Sequence, residues 1–260
     1  MEQQYGICRV AIAPLRAEAS DRAEIASQLL FGDHVEILEK TDKWFFVRNA
    51  YDDYEGWVDF KQLGNLSDEQ YARQQQNDHL APAQPANVVV AADGSKYYLL
   101  AGSNLPFYEN GFCYLGDEKF EVSFNPHPVH NRTAVDEIIN AALFFKNAPY
   151  LWGGRTLFGI DCSGFAQTVF KLNGIKLKRD AWQQAEQGTT VDFLPEAKAG
   201  DLAFFDNDAG RIIHVGIMLS AQEIIHASGK VKIDRIDTEG IFSTELGRYS
   251  HKLRIIKRFV

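Results

Sequence analysis

PYLWGGRTLFGIDCSGFAQTVF, Pro149 to Phe170, sets Cys162 directly behind a Gly-Ile-Asp turn and at the front of a helical pattern. Phe165, Val169 and Leu172 recur at i, i+4 and i+7, and Gly174 stands where such a helix would end. The spacing predicts a helix whose first turn holds Cys162. Backbone N–H groups at that end lack helical partners and the helix dipole is positive there, so thiolate is favoured over thiol. The competing reading is a buried structural thiol, since cysteine packs readily as a small hydrophobe.

A nucleophilic cysteine needs a base within hydrogen-bond reach and a third group that fixes the base. From residue 200 the pattern changes to strands: DLAFFD, HVGIML, EIIHAS, KVKIDRI and a closing LRIIKRF. His214 and His226 stand on two of them. If Leu219 lies opposite Glu223 around a three-residue loop, Gly216 opposes His226 and the two histidines become diagonal neighbours on one face. A two-residue loop would put them on opposite faces. The remaining histidines, His34, His79, His127, His130 and His251, are assigned no role.

Ahead of the cysteine motif, Val135, Ile138, Ile139, Ala142 and Phe145 recur at helical spacing, with Thr133 and Asp136 compatible with a capping box. Two prolines in NPHPVHN, Asn125 to Asn131, mark a bridge before that helix. The last domain, residues 129–260, is therefore α+β, with helices first and an antiparallel sheet after.

The N-terminal part reads as short strands, ICRVAIAPL, HVEILEK, KWFFVRN and EGWVDF, with a long insertion, AEASDRAEIASQLLFG, between the first two. LLFGDHVEIL, KWFFV and GWV resemble bacterial SH3-like domains, which places a small barrel at residues 1–65. A polar, Gln-rich stretch from Ser67 to Gln84 follows as a short helix and linker. Then NVVVAA, KYYLLAG, FCYLG and EKFEVSF, broken at Asp93-Gly94, Asn110-Gly111 and Gly116-Asp117, suggest a second SH3-like β unit within 66–128.

Composition bounds the function. With 260 residues, 45% hydrophobic and 24% charged, the chain has the makeup of a globular protein. No apolar run approaches the roughly 20 residues of a membrane span. A net charge of -8 opposes nucleic-acid backbones. Cys8, Cys113 and Cys162 cannot all pair, and none sits in a C-x-x-C arrangement. MEQQYGICRVAIAPL has no export-signal pattern. The chain as written is thus expected in the cytoplasm, or in the periplasm or outside the cell where a signal has been removed.

YLWGG, GIDCSGF, AGDLAFF, HVGIML and IIHASG follow one another in the order seen in NlpC-type cysteine peptidases of bacterial cell-wall metabolism, which residues 130–260 resemble. The resemblance implies a papain-like core, helices packed on an antiparallel sheet, preceded by one or two small SH3-like barrels. It implies cleavage between γ-D-glutamate and an L-diamino acid in peptidoglycan stem peptides, with no metal or organic cofactor. The barrel and its insertion narrow the likeness to dipeptidyl-peptidase VI-like enzymes, which act on peptides with a free N-terminal L-alanine and release L-Ala-γ-D-Glu.

Carried over motif by motif, the resemblance implies a triad of Cys162 as nucleophile, His214 as base and His226 as its orienter. Tyr150 would join the Cys162 backbone N–H in holding the oxyanion. Asp180 would bind the substrate amine, Trp152 would form an apolar wall, and Ser163 would donate to the substrate. Trp152 could equally be core packing and Ser163 a helix-start hydroxyl. Similar enzymes carry a serine where this chain has Ala181, so one substrate hydrogen bond is missing. Glu18 and Tyr54 are the candidates for an acid and a tyrosine that close the pocket from the first barrel. The competing functions are a wall-peptide-binding protein with an inert catalytic domain, and an amidase or acyltransferase on the same fold.

Overall fold

The computed structural model describes residues 4–74, 79–129 and 134–260, in two compact units, Met1–His130 and Asn131–Val260. The first unit opens with Tyr5–Cys8 (β1), Ile12–Arg16 (β2), Ile25–Leu30 (β3), His34–Lys40 (β4), Trp44–Asn49 (β5), Glu55–Asp59 (β6) and Leu63–Leu66 (β7). These form one sheet in the order β3-β2-β6-β5-β4-β1-β7. Ala13, Leu15, Leu29, Val35, Val47 and Val58 turn inward to a shared core, as the two-residue period of a half-buried strand requires.

ICRVAIAPL is two strands rather than one, and the insertion carries a strand of its own, β3, paired with β2 from Ile12↔Leu30 to Arg16↔Ile25. Ser27 to Leu30 are buried in succession, so β3 lacks the alternation that would reveal it.

The expected short helix is Asp68–Gln74 (α1), and residues 75–78 of the linker lie outside the described residues. His79–Leu80 (β8), Asn87–Ala91 (β9), Lys96–Leu99 (β10), Phe112–Leu115 (β11), Glu118–Val122 (β12) and His127–Pro128 (β13) follow. β9 to β12 form a four-stranded antiparallel sheet, order β10-β9-β12-β11, and β13, within the proline-containing bridge, pairs with β8. This second β unit is not a self-contained barrel. Val89, Leu99, Cys113 and Phe120 share one core with Ile7, Phe31 and Leu66 of the first sheet, because four strands alone cannot enclose an apolar interior.

The second unit begins with Val135–Phe144 (α2); Thr133, half of the predicted capping pair, lies outside the described residues. Arg155–Thr156 (β14) and Gly159–Ile160 (β15) make a minimal hairpin before Cys162–Leu172 (α3) and Ala181–Gln184 (α4). Thr189–Val191 (β16), Leu202–Asp206 (β17), Ile212–Met218 (β18), Glu223–Ser228 (β19), Lys230–Ile236 (β20), Gly240–Ser243 (β21) and Arg248–Arg258 (β22) complete it. The sheet runs β16-β22-β17-β18-β19-β20-β21, and β21 pairs back onto β22, so six strands close a ring and β16 adds to β22.

Residues opposed across an antiparallel ladder share a face. From Phe205↔His214 and Gly216↔His226 the register passes through Ile224↔Asp234 and Ile236↔Ile241 to Ile241↔His251. All of these residues therefore lie on one face of the ring. Part of that face is dry, with Ala203, Phe205, Met218, Ile224, Ile236, Ile241 and Ile256 clustered; the rest carries His214, His226, Asp234 and His251. On the other face of the central strands Val215, Ile217, Ile225 and Ala227 are buried, and α3 packs against β18 and β19. Burial on both faces is why HVGIML and EIIHAS read as almost continuously apolar.

Candidate active site

Cys162 is the first residue of α3, as its spacing predicts. The preceding Asp161 caps the helix: its carboxylate accepts the Gly164 N–H at 2.6 Å and the Gly153 N–H at 2.8 Å. Arg179 grips the same carboxylate through two nitrogens, at 2.6 and 3.1 Å, and donates to the Ser163 hydroxyl at 2.8 Å. All three side chains are buried. A two-pronged guanidinium fixes a carboxylate in both position and charge. The β14–β15 hairpin lies tight on this turn, since a Cβ on Gly164 would collide with the Gly154 carbonyl oxygen.

Burial, with this cap beside it, corrects the expectation of a resting thiolate. Cys162 is 7% exposed, and burial, with the Asp161 charge added, pushes its thiol up to about 12. The backbone amides of Val215 and Ser163 and the Arg179 cation act in the opposite sense without prevailing. The helix end that would have favoured the anion already carries a carboxylate. Cys162 therefore rests as a thiol, and the amide beside it belongs to Val215, the neighbour of His214.

The β18–β19 hairpin takes the register that unites the histidines: Gly216 opposes His226 and the Leu219 N–H donates to the Glu223 carbonyl. His214 Nε2 lies 2.9 Å from His226 Nδ1, and His226 Nε2 lies 3.1 Å from Asp234 Oδ2. An ionised carboxylate only accepts, so His226 donates from Nε2 and accepts at Nδ1. His214 then donates from Nε2, which leaves Nδ1 as its basic nitrogen. A Cβ on Gly216 would press on Ile224 and on the Cβ of His226, so the glycine keeps this ring in place.

Electrostatics keep the chain of groups poised. Burial opposes the Asp234 charge, but the His226 hydrogen bond, Lys232 at 3.6 Å and the Thr244 backbone outweigh it, leaving the carboxyl below its usual range. Burial, together with His251 and His226, drives His214 well below the usual histidine value, so its imidazole is neutral near pH 7. A neutral thiol and a neutral base suit a proton transfer that accompanies attack rather than precedes it.

His251 was not among the residues singled out by pattern, yet its ring stacks on His214 with centroids 4.0 Å apart and 22° between planes. Asp234 and Arg179 were missed as well. Asp234 left a signal, an acid on the inward face of the alternating strand KVKIDRI. His251 left none, because only closure of β22 onto β21 brings it inward.

Of the other predicted site residues, Tyr150 is half-buried and senses the charges of Cys162 and Asp161; burial first, then these, raise its hydroxyl to about 12. It is thus a protonated donor near the sulfur. Trp152 is 60% exposed, so it is not core packing. The Ser163 hydroxyl is engaged by Arg179 and Asp161 rather than directed at a ligand. Asp180 precedes α4, where its N–H donates to the Gln183 side chain at 3.1 Å. Glu18 and Tyr54 belong to the first unit: Glu18 is exposed after β2, and Tyr54 packs against the barrel core.

Comparison with known proteins agrees with both halves of the chain. Residues 147–248 match the NlpC/P60 family and residues 15–63 match the bacterial dipeptidyl-peptidase Sh3 domain. The gamma-D-glutamyl-L-lysine dipeptidyl-peptidase of Bacillus subtilis is 33% identical over 240 residues, 85% of this chain and 79% of its own length. A protein of the same name from Bacillus cereus is 28% identical over 254 residues, 86% of this chain and 74% of its own. The crystal structure of an NlpC/P60 family protein from Bacillus cereus superposes with a TM-score of 0.80 at 20% identity, covering 98% of this chain and 99% of that one. The chain belongs to the NlpC/P60 family of peptidases and carries a bacterial SH3-like domain ahead of the peptidase unit.

Proposed function

We propose that the protein is a cysteine peptidase that cuts the γ-D-glutamyl-L-diamino acid bond of peptidoglycan-derived peptides bearing a free N-terminal L-alanine. The observation that carries this reading is the buried line from Asp234 through His226 to His214, whose chain neighbour Val215 sets its backbone amide against the Cys162 sulfur. Helices before a closed antiparallel sheet support a papain-like core. The names of the two Bacillus relatives support the dipeptide-releasing specificity, with L-lysine as the diamino acid.

In this mechanism His214 Nδ1 takes the thiol proton as Cys162 Sγ bonds to the γ-carbonyl carbon of D-glutamate. The Cys162 backbone N–H and the Tyr150 hydroxyl receive the oxyanion. His226, held by Asp234, stabilises the imidazolium that forms. His214 then gives the proton to the departing amine, leaving a thioester; water, activated by the same ring, releases L-Ala-γ-D-Glu and restores the thiol. Asp180 serves the substrate amine, Trp152 lines the pocket, and Ser163 acts through Arg179 and Asp161 rather than by direct donation. Glu18 and Tyr54 would read the free N-terminus.

The test is mass-spectrometric cleavage of L-Ala-γ-D-Glu-meso-diaminopimelate and its L-lysine counterpart, each beside an N-acetylated copy, with Cys162→Ala as control. Cleavage of free-amine peptides alone, absent in the variant, is expected. No cleavage of any of them would favour the inert binding protein or another acyl-transfer substrate.

A further inference from the structure

We propose that His251 is a positioning residue for the base of the peptidase reaction: its ring, laid flat on His214, fixes the plane of that imidazole and faces the charge it gains. The outermost torsion of a histidine side chain is broad and roughly two-fold. The hydrogen bond from His214 Nε2 to His226 Nδ1, 2.9 Å long, selects one of the two orientations and so puts Nδ1 on the working side. A single bond at the ring's edge still leaves the ring free to tilt about it. The His251 ring, with centroids 4.0 Å apart and planes 22° from parallel, covers one face of His214 and removes that tilt. Phe205 adds an oblique contact, its centroid 5.8 Å away.

Strand β22 is built irregularly around this one residue. Ile241 pairs with His251 and Phe242 with Tyr249, so Ser250 is an extra residue, a bulge. Phe204 pairs with Ile255 and Phe205 with Leu253, so Arg254 is a second extra residue on the other side of His251. Bulges bend a strand and re-aim its side chains. The Ser250 hydroxyl donates to the Ile241 carbonyl at 3.3 Å and accepts from His251 Nδ1 at 2.8 Å, which fixes the stacking ring in turn. On the facing strand Gly240 lets β22 come close, since a Cβ there would collide with the His251 carbonyl oxygen.

The stack also acts on charge. When His214 Nδ1 takes the proton of Cys162, its ring becomes an imidazolium, while His251 gains and loses no proton. His251, lowered to about 4 by burial and by the neighbouring His226 and Lys232 against Asp234, stays neutral near pH 7. The imidazolium then lies over a neutral aromatic face, well inside the roughly 6 Å at which such a face attracts a cation. The charge half of the proposal rests on the peptidase reading; the orientation half stands without it.

The test compares His251→Gln, which removes the ring, with His251→Phe, which restores a flat face without the nitrogens, each in the full chain and checked by circular dichroism. In peptide cleavage His251→Gln should lower kcat about 2–30-fold, the range spanned by a cation over an aromatic face, with KM little changed. His251→Phe should recover most of that loss. Ser250→Ala, which keeps the ring but frees it, stands in where the glutamine variant does not fold and should show a smaller loss of the same kind. A second measurement needs no substrate: NMR of the chain labelled with 15N-histidine follows the Nε2–H proton of His214. That proton should exchange with water faster in His251→Gln than in the wild type or His251→Phe. Phenylalanine no better than glutamine, turnover unchanged in His251→Gln, or a loss confined to KM would overturn the charge half. Equal exchange in all three proteins would overturn the orientation half. If the wild type cuts no peptide, the peptidase reading fails, while the exchange rates still decide whether His251 holds the His214 ring.

Discussion

Cys8 in β1 and Cys162 at the head of α3 are both buried, unpaired thiols, and loss of water raises both above the usual cysteine value. Their surroundings differ. Cys8 lies in an aliphatic core with Ala13, Leu15 and Val35, where its sulfur donates to the Val10 carbonyl at 3.3 Å. Cys162 has two backbone amides and a buried guanidinium acting on its sulfur, and one of those amides, that of Val215, follows the neutral His214 along β18. In the proposed mechanism reactivity comes from partners that can receive charge during the reaction, not from exposure or a low resting pKa.

The widest gap between the two thiols should come from removing each. Cys162→Ala is expected to lower kcat by about 10⁶-fold, the scale seen when a nucleophile is deleted from an intact site. Cys8→Ala should leave kcat unchanged and cost about 1 kcal/mol of stability. Peptide turnover and urea midpoints on both variants read the difference directly. Comparable losses of turnover would mean that the first unit takes part in the chemistry.

Beneath Cys162 lies the buried ion pair of Asp161 and Arg179. Removing one partner leaves the other charge buried and unpaired, so Arg179→Met should destabilise the second unit by about 3–5 kcal/mol. The double variant Asp161→Asn/Arg179→Met should recover part of that loss, which a double-mutant cycle of urea midpoints measures. A single variant as stable as the wild type would show that the pair contributes nothing to folding.

A smaller effect is expected further out along the proton path. Asp234→Asn can donate to His226 Nε2 and so reverses the tautomers that leave His214 Nδ1 basic. In a serine triad the equivalent change costs about 10⁴ in kcat; with one more ring between acid and nucleophile, a loss of about 10²-fold is expected. KM should change little, because the groups on Asp234, His226, Lys232 and the Thr244 backbone, are not ones assigned to binding the substrate.

Much of this site was legible before the structure. Phe165, Val169 and Leu172 placed Cys162 on a helix, and the three-residue loop set His214 beside His226. The resting charge of Cys162 was not legible, because dipole reasoning omits the burial of the sulfur and, after it, the Asp161 charge at the helix end. His251 and Arg179 were hidden for another reason: each reaches the site through closure of a ring or return of a loop, which no local pattern records. In the first unit the same limit hid β3, whose consecutive buried residues erase its period.

The smallest effect tests how the histidines are buried. His251 is lowered to about 4 and His214 is lowered too, by burial first and then by neighbouring rings, whereas unfolded histidines titrate near 6.5. Below about pH 6.5 the unfolded chain binds protons that the folded chain refuses, so the stability these groups contribute is full above that pH. It is lost as the pH falls toward about 4. Asp234, itself lowered, acts only further down, so it does not account for a change between pH 7 and 5. Urea midpoints should therefore fall over that interval in the wild type and fall less in His251→Phe, which has one fewer ring to protonate. Equal falls in the two proteins would mean that His251 is solvated as in the unfolded chain and does not form part of the buried cluster around the base.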